Sequence, residues 1–385
     1  MRVNKRKNLN ITHYIPTKHL SHNSLKSTSD TFIWIFRVYY MIIIYSKESS
    51  MYLIVSIILL ILLIPQVYYW IKERKYKSLG MSKKFFKRST VYKEDNYEEL
   101  YLTNTDGFDL FVRILSCNNP KGIVHIVHGV AEHSGNYMDF AKFLNKNNYI
   151  VVMDDHRGHG KSISTNYPNG YMARGQELVD DEVMVARFMQ DKYPDLKYHM
   201  IGHSMGSMIA RLFLRENDIL LDKLIIMGTV PVNKLSWLGV FFANILCFYL
   251  GEQTKSRLIG KIIGDEGTDF ISYNQENIAI KENDPLRIFK YKIAYSRALI
   301  ELNMMLGEKS KYSVNNSDLE IYNMVGEDDI ITLGKAGVKS SIDFLNDIGY
   351  KNLSSIRYPN MKHEILNEKD NDIVYADILD FLNSK

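Results

Sequence analysis

The chain has 385 residues, 46% of them hydrophobic and 24% charged, a composition that can bury a large core and that excludes a disordered or fibrous protein. Its net charge of +4 is uneven: residues 1–77 hold 12 Lys/Arg against 3 Asp/Glu, and because that basic charge flanks apolar runs instead of coating a folded face, nucleic acid is excluded as a partner. The two cysteines, Cys117 and Cys247, stand far apart with no ligand or redox spacing, so neither a disulfide framework nor a zinc site is expected.

Residues 1–30 are polar and basic with no periodic apolar pattern and are expected to be disordered. Met51 offers a second plausible start, so the natural start stays open between Met1 and Met51. The run TFIWIFRVYYMIIIY at 31–45 is short for a bilayer and interrupted by Arg37, which predicts an interfacial segment or a marginal span. Residues 51–71, MYLIVSIILLILLIPQVYYWI, are uncharged, carry Tyr and Trp at one end and are followed at once by Lys72, Arg74, Lys75 and Lys77. That pattern predicts the main membrane span. A cleaved signal peptide, and with it a secreted enzyme, is the rival reading. Against it, no small-residue cleavage site follows the run and basic residues stand where a mature domain would begin. The basic flank, continued by Lys83, Lys84, Lys87 and Arg88 in a linker over 78–96, predicts that the downstream domain faces the cytoplasm.

From Tyr97 to the C-terminus the pattern is that of an α/β domain. YEELYLTNTDGFDLFVRIL, broken at Thr105-Asp106-Gly107, predicts an antiparallel hairpin. Apolar strands GIVHIVHG, YIVVMDD, YHMIGHS and KLIIMGT then alternate with helical patterns around 137–145, 177–191 and up to about 215, which predicts a parallel sheet covered by helices on both faces. The alternation stops over about 231–306, where LSWLGVFFANILCFYLG predicts a helical cap inserted over the carboxyl edge of the sheet. It resumes with IYNMVG, a helix over 333–348, SIRYP and a closing helix over 371–382.

The chemistry concentrates in Gly202-His203-Ser204-Met205-Gly206, placed between a strand and an amphipathic helix. A Gly-x-Ser-x-Gly turn in that context pushes the serine out of the sheet on a strained backbone, so Ser204 is the candidate nucleophile. A serine hydroxyl needs a base, and of the eleven histidines only His363 lies downstream of Ser204, just after the last strand. Loops following the carboxyl ends of strands meet at one edge, which brings His363 beside Ser204. The same reasoning selects the acid from Gly326-Glu327-Asp328-Asp329, with Asp329 preferred and Asp328 the fallback. Two N–H donors are needed for the oxyanion: Met205, after the nucleophile, and Val130, after His128-Gly129.

HGVAEHSGNY, DDHRGHGKS, GHSMG, the GEDD loop and KHEILNE together resemble the monoacylglycerol lipase and lysophospholipase branch of the α/β-hydrolases, over roughly Tyr97 to the C-terminus. The resemblance implies an α/β-hydrolase fold, with a mostly parallel doubly wound sheet and inserted cap, preceded here by a transmembrane segment. It implies the roles nucleophile, acid and base for Ser204, Asp329 and His363, with Val130 and Met205 as oxyanion donors. Ile330-Ile331-Thr332 departs from the acid loop common in relatives, and the cap carries no transferable motif. Glu132, His133, His156, Arg157 and His159 read first as loop-bracing residues, His203 as a packing residue and His125 as a satisfied core histidine. No phosphate-binding glycine loop follows a strand, so no cofactor and no metal are expected. The expected function is hydrolysis of monoacylglycerols or lysophospholipids drawn from a membrane, with a serine peptidase or small-ester esterase, or a catalytically silent membrane-bound module, as alternatives.

Overall fold

A computed structural model describes residues 50–78, 85–255 and 268–384, together with Arg37. The expected disordered segment 1–30 and, Arg37 apart, the marginal span 31–45 lie outside the described residues. The chain divides into two units, Met1–Ile64 and Pro65–Lys385. Helix α1 (Ser50–Ser78) begins in the first, where Met51 to Val55 and most of the following apolar side chains are exposed. Its stretch Met51–Ser78 is long and apolar enough to cross a bilayer.

The second unit is built on a nine-stranded sheet: β1 (Phe85–Lys93), β2 (Tyr97–Asn104), β3 (Asp109–Leu115), β4 (Gly122–Val127), β5 (Tyr149–Asp154), β6 (Tyr198–His203), β7 (Lys223–Met227), β8 (Glu320–Gly326) and β9 (Leu353–Tyr358), in the order β1-β2-β3-β5-β4-β6-β7-β8-β9. β1, β2 and β3 pair antiparallel, as do β3 and β5, and every pair from β5 to β9 is parallel. The expected hairpin is β2–β3. One expectation needs correction: the basic stretch taken as a linker carries β1, held by pairs such as Arg88↔Leu102 and Thr90↔Leu100. Register shifts between Phe85 and Lys87 and between Thr90 and Tyr92 break its alternation, which hides it as a strand.

Helices α2 (Met138–Lys146) and α9 (Asn371–Asn383) cover one face of the sheet; α3 (Gly175–Lys192), α4 (Met205–Asn217) and α8 (Gly334–Ile348) cover the other. The strands serve both faces by alternation. On β7, Leu224 and Ile226 join the core with Phe213 and Phe344, whereas Ile225 and Met227 join the one with Phe140 and Val374. Among the described residues, three helices, α5 (Ser236–Leu250), α6 (Gln275–Glu282) and α7 (Ile293–Leu306), occupy the region expected to form the cap. The end of α1 is tied to this unit by polar groups: Gln66 Nε2 donates to Phe241 O at 3.0 Å, Asn244 Nδ2 donates to Gln66 Oε1 at 2.8 Å, and Tyr69 OH and Lys72 Nζ both reach Glu252 Oε1, at 2.9 and 2.7 Å.

Because β5 lies on one side of β4 and β6 on the other, the strand order reverses around β4. A crevice opens at such a point, between the loops that leave β4 and β6. Those are the loops that carry Val130 and Ser204.

Candidate active site

β6 delivers Ser204 and α4 begins at the next residue, so the chain must reverse within one turn. Ser204 carries that reversal at φ 54°, ψ −114°, in the left-handed half of the map where a side chain is strained. Its amide donates to Met227 O on β7 at 2.9 Å, which fixes the turn to the sheet. The crossing is too tight for side chains on either flank: a Cβ on Gly202 would stand 2.4 Å from Gly206 O, and one on Gly206 would stand 2.1 Å from Val127 O.

His363 follows β9 and Asp329 follows β8. His363 Nδ1 lies 2.9 Å from Asp329 Oδ2, with the carboxylate wholly buried. Asp329 is itself oriented, since its Oδ1 accepts the Ile331 amide at 2.8 Å. Asp328, the fallback acid, is exposed and accepts from Tyr273 OH at 3.1 Å. The structure therefore brings Asp329, not Asp328, to His363. An Nδ1–H donated to a carboxylate leaves Nε2 as the basic nitrogen, and His363 and Ser204 line the same cavity. Among the described residues no hydrogen bond joins Ser204 Oγ to His363.

The loop after β4 has its amides assigned one by one. Gly129 N donates to Glu132 Oε1 at 2.7 Å and Ala131 N donates to Tyr295 OH at 2.9 Å. Among the described hydrogen bonds, the Val130 amide between them has no protein acceptor, and neither has the Met205 amide at the start of α4. Both residues line the cavity with Ser204, so two N–H groups are available to one developing oxyanion.

That loop is braced by a charge network of which the residue pattern indicated only Glu132. Glu132 also accepts from Tyr137 OH at 2.6 Å and pairs with Lys281 of α6 at 3.0 Å; Lys281 reaches on to Glu364, next to the candidate base, at 2.7 Å. Burial opposes the charged form of Glu132, but Lys281 first and then His203 hold its carboxyl well below the usual range. His203 is more than the packing residue expected: Nδ1 lies 3.1 Å from Glu132 Oε1, and Nε2 lies 3.1 Å from His363 O. Burial disfavours its imidazolium, yet the Glu132 hydrogen bond and charge outweigh that and raise its pKa. The motif glutamate in EHSGNY was legible as a brace. Lys281, 149 residues away on the cap, carried no sequence signal.

The cavity has a volume of about 530 Å³. Met205, Met208, Leu235, Leu299 and Leu333 give it an apolar wall, while Glu132, Arg287 and Glu364 bring polar groups to it. A larger cleft of about 1040 Å³, lined by Tyr101, Asp106, Tyr167 and Arg174 among others, holds none of Ser204, Asp329 and His363.

His125 Nε2, Asp154 and Glu182 have ligand atoms within 4.8 Å of one another, close enough for a metal ion. They are wholly buried, and His156 faces the same two carboxylates, with Nδ1 3.0 Å from Glu182 and 3.5 Å from Asp154. Two imidazoles alternating with two carboxylates close electrically when both rings are protonated. Burial works against charging His125, but hydrogen bonds to Asp154 and Glu182 win and raise its pKa to about 9. His125 is a core histidine as expected, and its satisfaction is ionic. Arg157 braces its loop as expected, reaching Asp181 with Nε at 2.6 Å and Nη2 at 2.8 Å.

Comparison with known proteins locates this architecture. The family profile Hydrolase_4 (Serine aminopeptidase, S33) matches residues 118–370. The chain is 28% identical to monoglyceride lipase of Mus musculus over 195 residues, 49% of this chain and 61% of that protein, so the match spans under two thirds of that relative. It is 23% identical over 272 residues to monoacylglycerol lipase of Mycolicibacterium smegmatis, 69% of this chain and 89% of that one. Among solved structures, a thermostable carboxyl esterase from Bacillus coagulans, in complex with glycerol, superposes with a TM-score of 0.68 at 27% identity, over 75% of this chain and 99% of that one.

Proposed function

Because the chain belongs to the Hydrolase_4 family of α/β-hydrolases, we propose that it is a membrane-anchored serine ester hydrolase that releases fatty acid from single-chain lipid esters, monoacylglycerols or lysophospholipids. Ser204 attacks the ester carbonyl while His363 Nε2 takes its proton; Val130 and Met205 hold the oxyanion; His363 then protonates the departing alcohol, leaving an acyl-enzyme. Water, deprotonated by His363, releases the acid. Asp329 keeps His363 in the required tautomer and stabilises its charged form. The observation that carries this reading is the meeting of a strained serine, a histidine with its Nδ1 on a buried carboxylate, and two amides without protein acceptors at one cavity.

The names of the mouse and mycobacterial relatives support a monoacylglycerol-type substrate, and the apolar wall suits one acyl chain. An anchor in α1 and the exposed Trp237, Phe242, Tyr249 and Leu250 on α5 suit a substrate taken from a bilayer, and Lys72, Arg74, Lys75 and Lys77 after the span favour a cytoplasmic enzyme. The family profile's own description favours a second reading, an aminopeptidase. That activity needs a free carboxylate for the substrate ammonium, and both carboxylates at the cavity, Glu132 and Glu364, are engaged by Lys281. A fluorophosphonate probe tests the reading: it should label the chain at Ser204 and fail to label Ser204→Ala.

A further inference from the structure

Among the described residues, every charged side chain that lines the cavity has a partner of opposite sign save Arg287. Lys281 sits between Glu132 and Glu364, His203 shares Glu132, and His133 Nε2 lies 2.8 Å from Asp284. Arg287 lines the same cavity, and among the described residues no carboxylate lies within ion-pair distance of it. Its Nη1 is shielded from solvent and has no hydrogen-bond acceptor. The residue as a whole is half-buried and its guanidinium lies over the Phe289 ring, 5.6 Å from the centroid, so the charge it brings to the cavity rests on an aromatic face and not on a carboxylate.

The backbone holds Arg287 in place for a ligand at the reacting centre. Ile288 N donates to Ala131 O at 3.0 Å, which ties the residue after Arg287 to the residue after the oxyanion donor Val130. Asp284 closes the turn from the other side, its Oδ1 accepting from Leu286 N at 2.8 Å. Arg287 therefore stands beside the oxyanion loop, and with Val130, Glu132, Asp284 and Glu364 it lines a small side cleft to which Met208, Leu235 and Leu299 do not contribute. A guanidinium presents paired N–H donors that match phosphate oxygens, and the contact strengthens where water is excluded.

We propose that Arg287 is the headgroup-recognition residue of this cavity and selects single-chain lipid esters bearing a phosphate over those bearing neutral glycerol. The inference rests on the ester-hydrolase reading above and narrows it. A glycerol headgroup leaves the Arg287 guanidinium without an anion, whereas a phosphate one glycerol unit from the ester supplies one. The shared chemistry is the phosphate, whether a monoester or a choline diester.

The test uses the full chain in detergent with three substrates of one acyl chain: monoacylglycerol, lysophosphatidic acid and lysophosphatidylcholine. Fatty-acid release gives kcat/KM for each in the wild type, in Arg287→Met and in Arg287→Lys. The wild type should prefer one or both phosphate esters. In Arg287→Met the ratio of phosphate-ester to monoacylglycerol kcat/KM should fall about tenfold or more, chiefly through KM, with part of the ratio restored in Arg287→Lys. A preference for the lysophosphatidic acid arm alone would identify the monoester as the ligand, and equal use of both arms the phosphate in either form. An unchanged ratio overturns the assignment, including the case where both values fall together because the oxyanion loop has moved. Release from monoacylglycerol alone in the wild type overturns it while sparing the ester-hydrolase reading. Fluorophosphonate labelling of Ser204 with no release from any of the three overturns both.

Discussion

Asp329 Oδ2 and His363 Nδ1, 34 residues apart on the loops after β8 and β9, stand 2.9 Å from one another with the carboxylate fully buried. Removing the carboxylate charge while keeping its shape should let the imidazole take the wrong tautomer. Asp329→Asn is expected to lower kcat by roughly 10³- to 10⁴-fold. Asp328→Asn, on an exposed group bonded to Tyr273, should retain activity close to wild type, and steady-state esterase kinetics on the pair separates the two acids.

Lys281 neutralises two buried carboxylates at once, at 3.0 and 2.7 Å. Lys281→Met should therefore cost about 3–5 kcal/mol, because it leaves Glu364 buried without a counterion and Glu132 with His203 alone. Thermal unfolding should show a large fall in Tm, and the double variant Lys281→Met/Glu132→Gln should recover part of it.

The buried set of His125, His156, Asp154 and Glu182, with Tyr198 OH 2.9 Å from His125 Nδ1, makes stability depend on pH. The His125 pKa is raised from 6.5 to about 9 in the fold, so the folded state holds a proton that the unfolded state releases. Its contribution is complete below about pH 6.5 and is lost as pH rises through about 9. Tm of the wild type should decline across that interval, and in His125→Gln the decline should be smaller, starting from a lower Tm.

Glu252 gathers Tyr69, Lys72 and Tyr171, at 2.9, 2.7 and 2.7 Å, and so joins the end of α1 to the rest of its unit. The carboxylate accepts three charge-assisted hydrogen bonds in a partly exposed position. Glu252→Gln should cost about 1–3 kcal/mol in the unfolding of the detergent-solubilised chain. Protease cleavage near residue 78 should become faster in the variant.

Much of the site is legible in the sequence for a physical reason: strand, turn and helix each have their own period, and loops after strand ends converge. That placed Ser204, Asp329 and His363 at one edge, and the choice of Asp329 over Asp328 followed from its spacing past the end of β8. Three features escaped. β1 is an edge strand whose bulges break alternation amid basic residues, so FFKRSTVYK read as linker. Lys281 and Arg287 lie in the cap, where no periodicity marks them: the partner of Lys281, Glu132, comes from the β4 loop, and Arg287 meets the cavity only once the cap is folded over it. His203 read as packing because a histidine's hydrogen bonds to Glu132 and to His363 O exist only once three distant loops meet.

The most direct test of the central claim is fatty-acid release from monoacylglycerol and lysophosphatidylcholine by the purified chain, with Ser204→Ala beside it. The account predicts release from at least one lipid by the wild type and a fall of about 10³-fold or more in the variant, whose Tm should stay near that of the wild type. A folded Ser204→Ala chain that releases fatty acid at the wild-type rate would contradict the assignment of the nucleophile and the mechanism built on it.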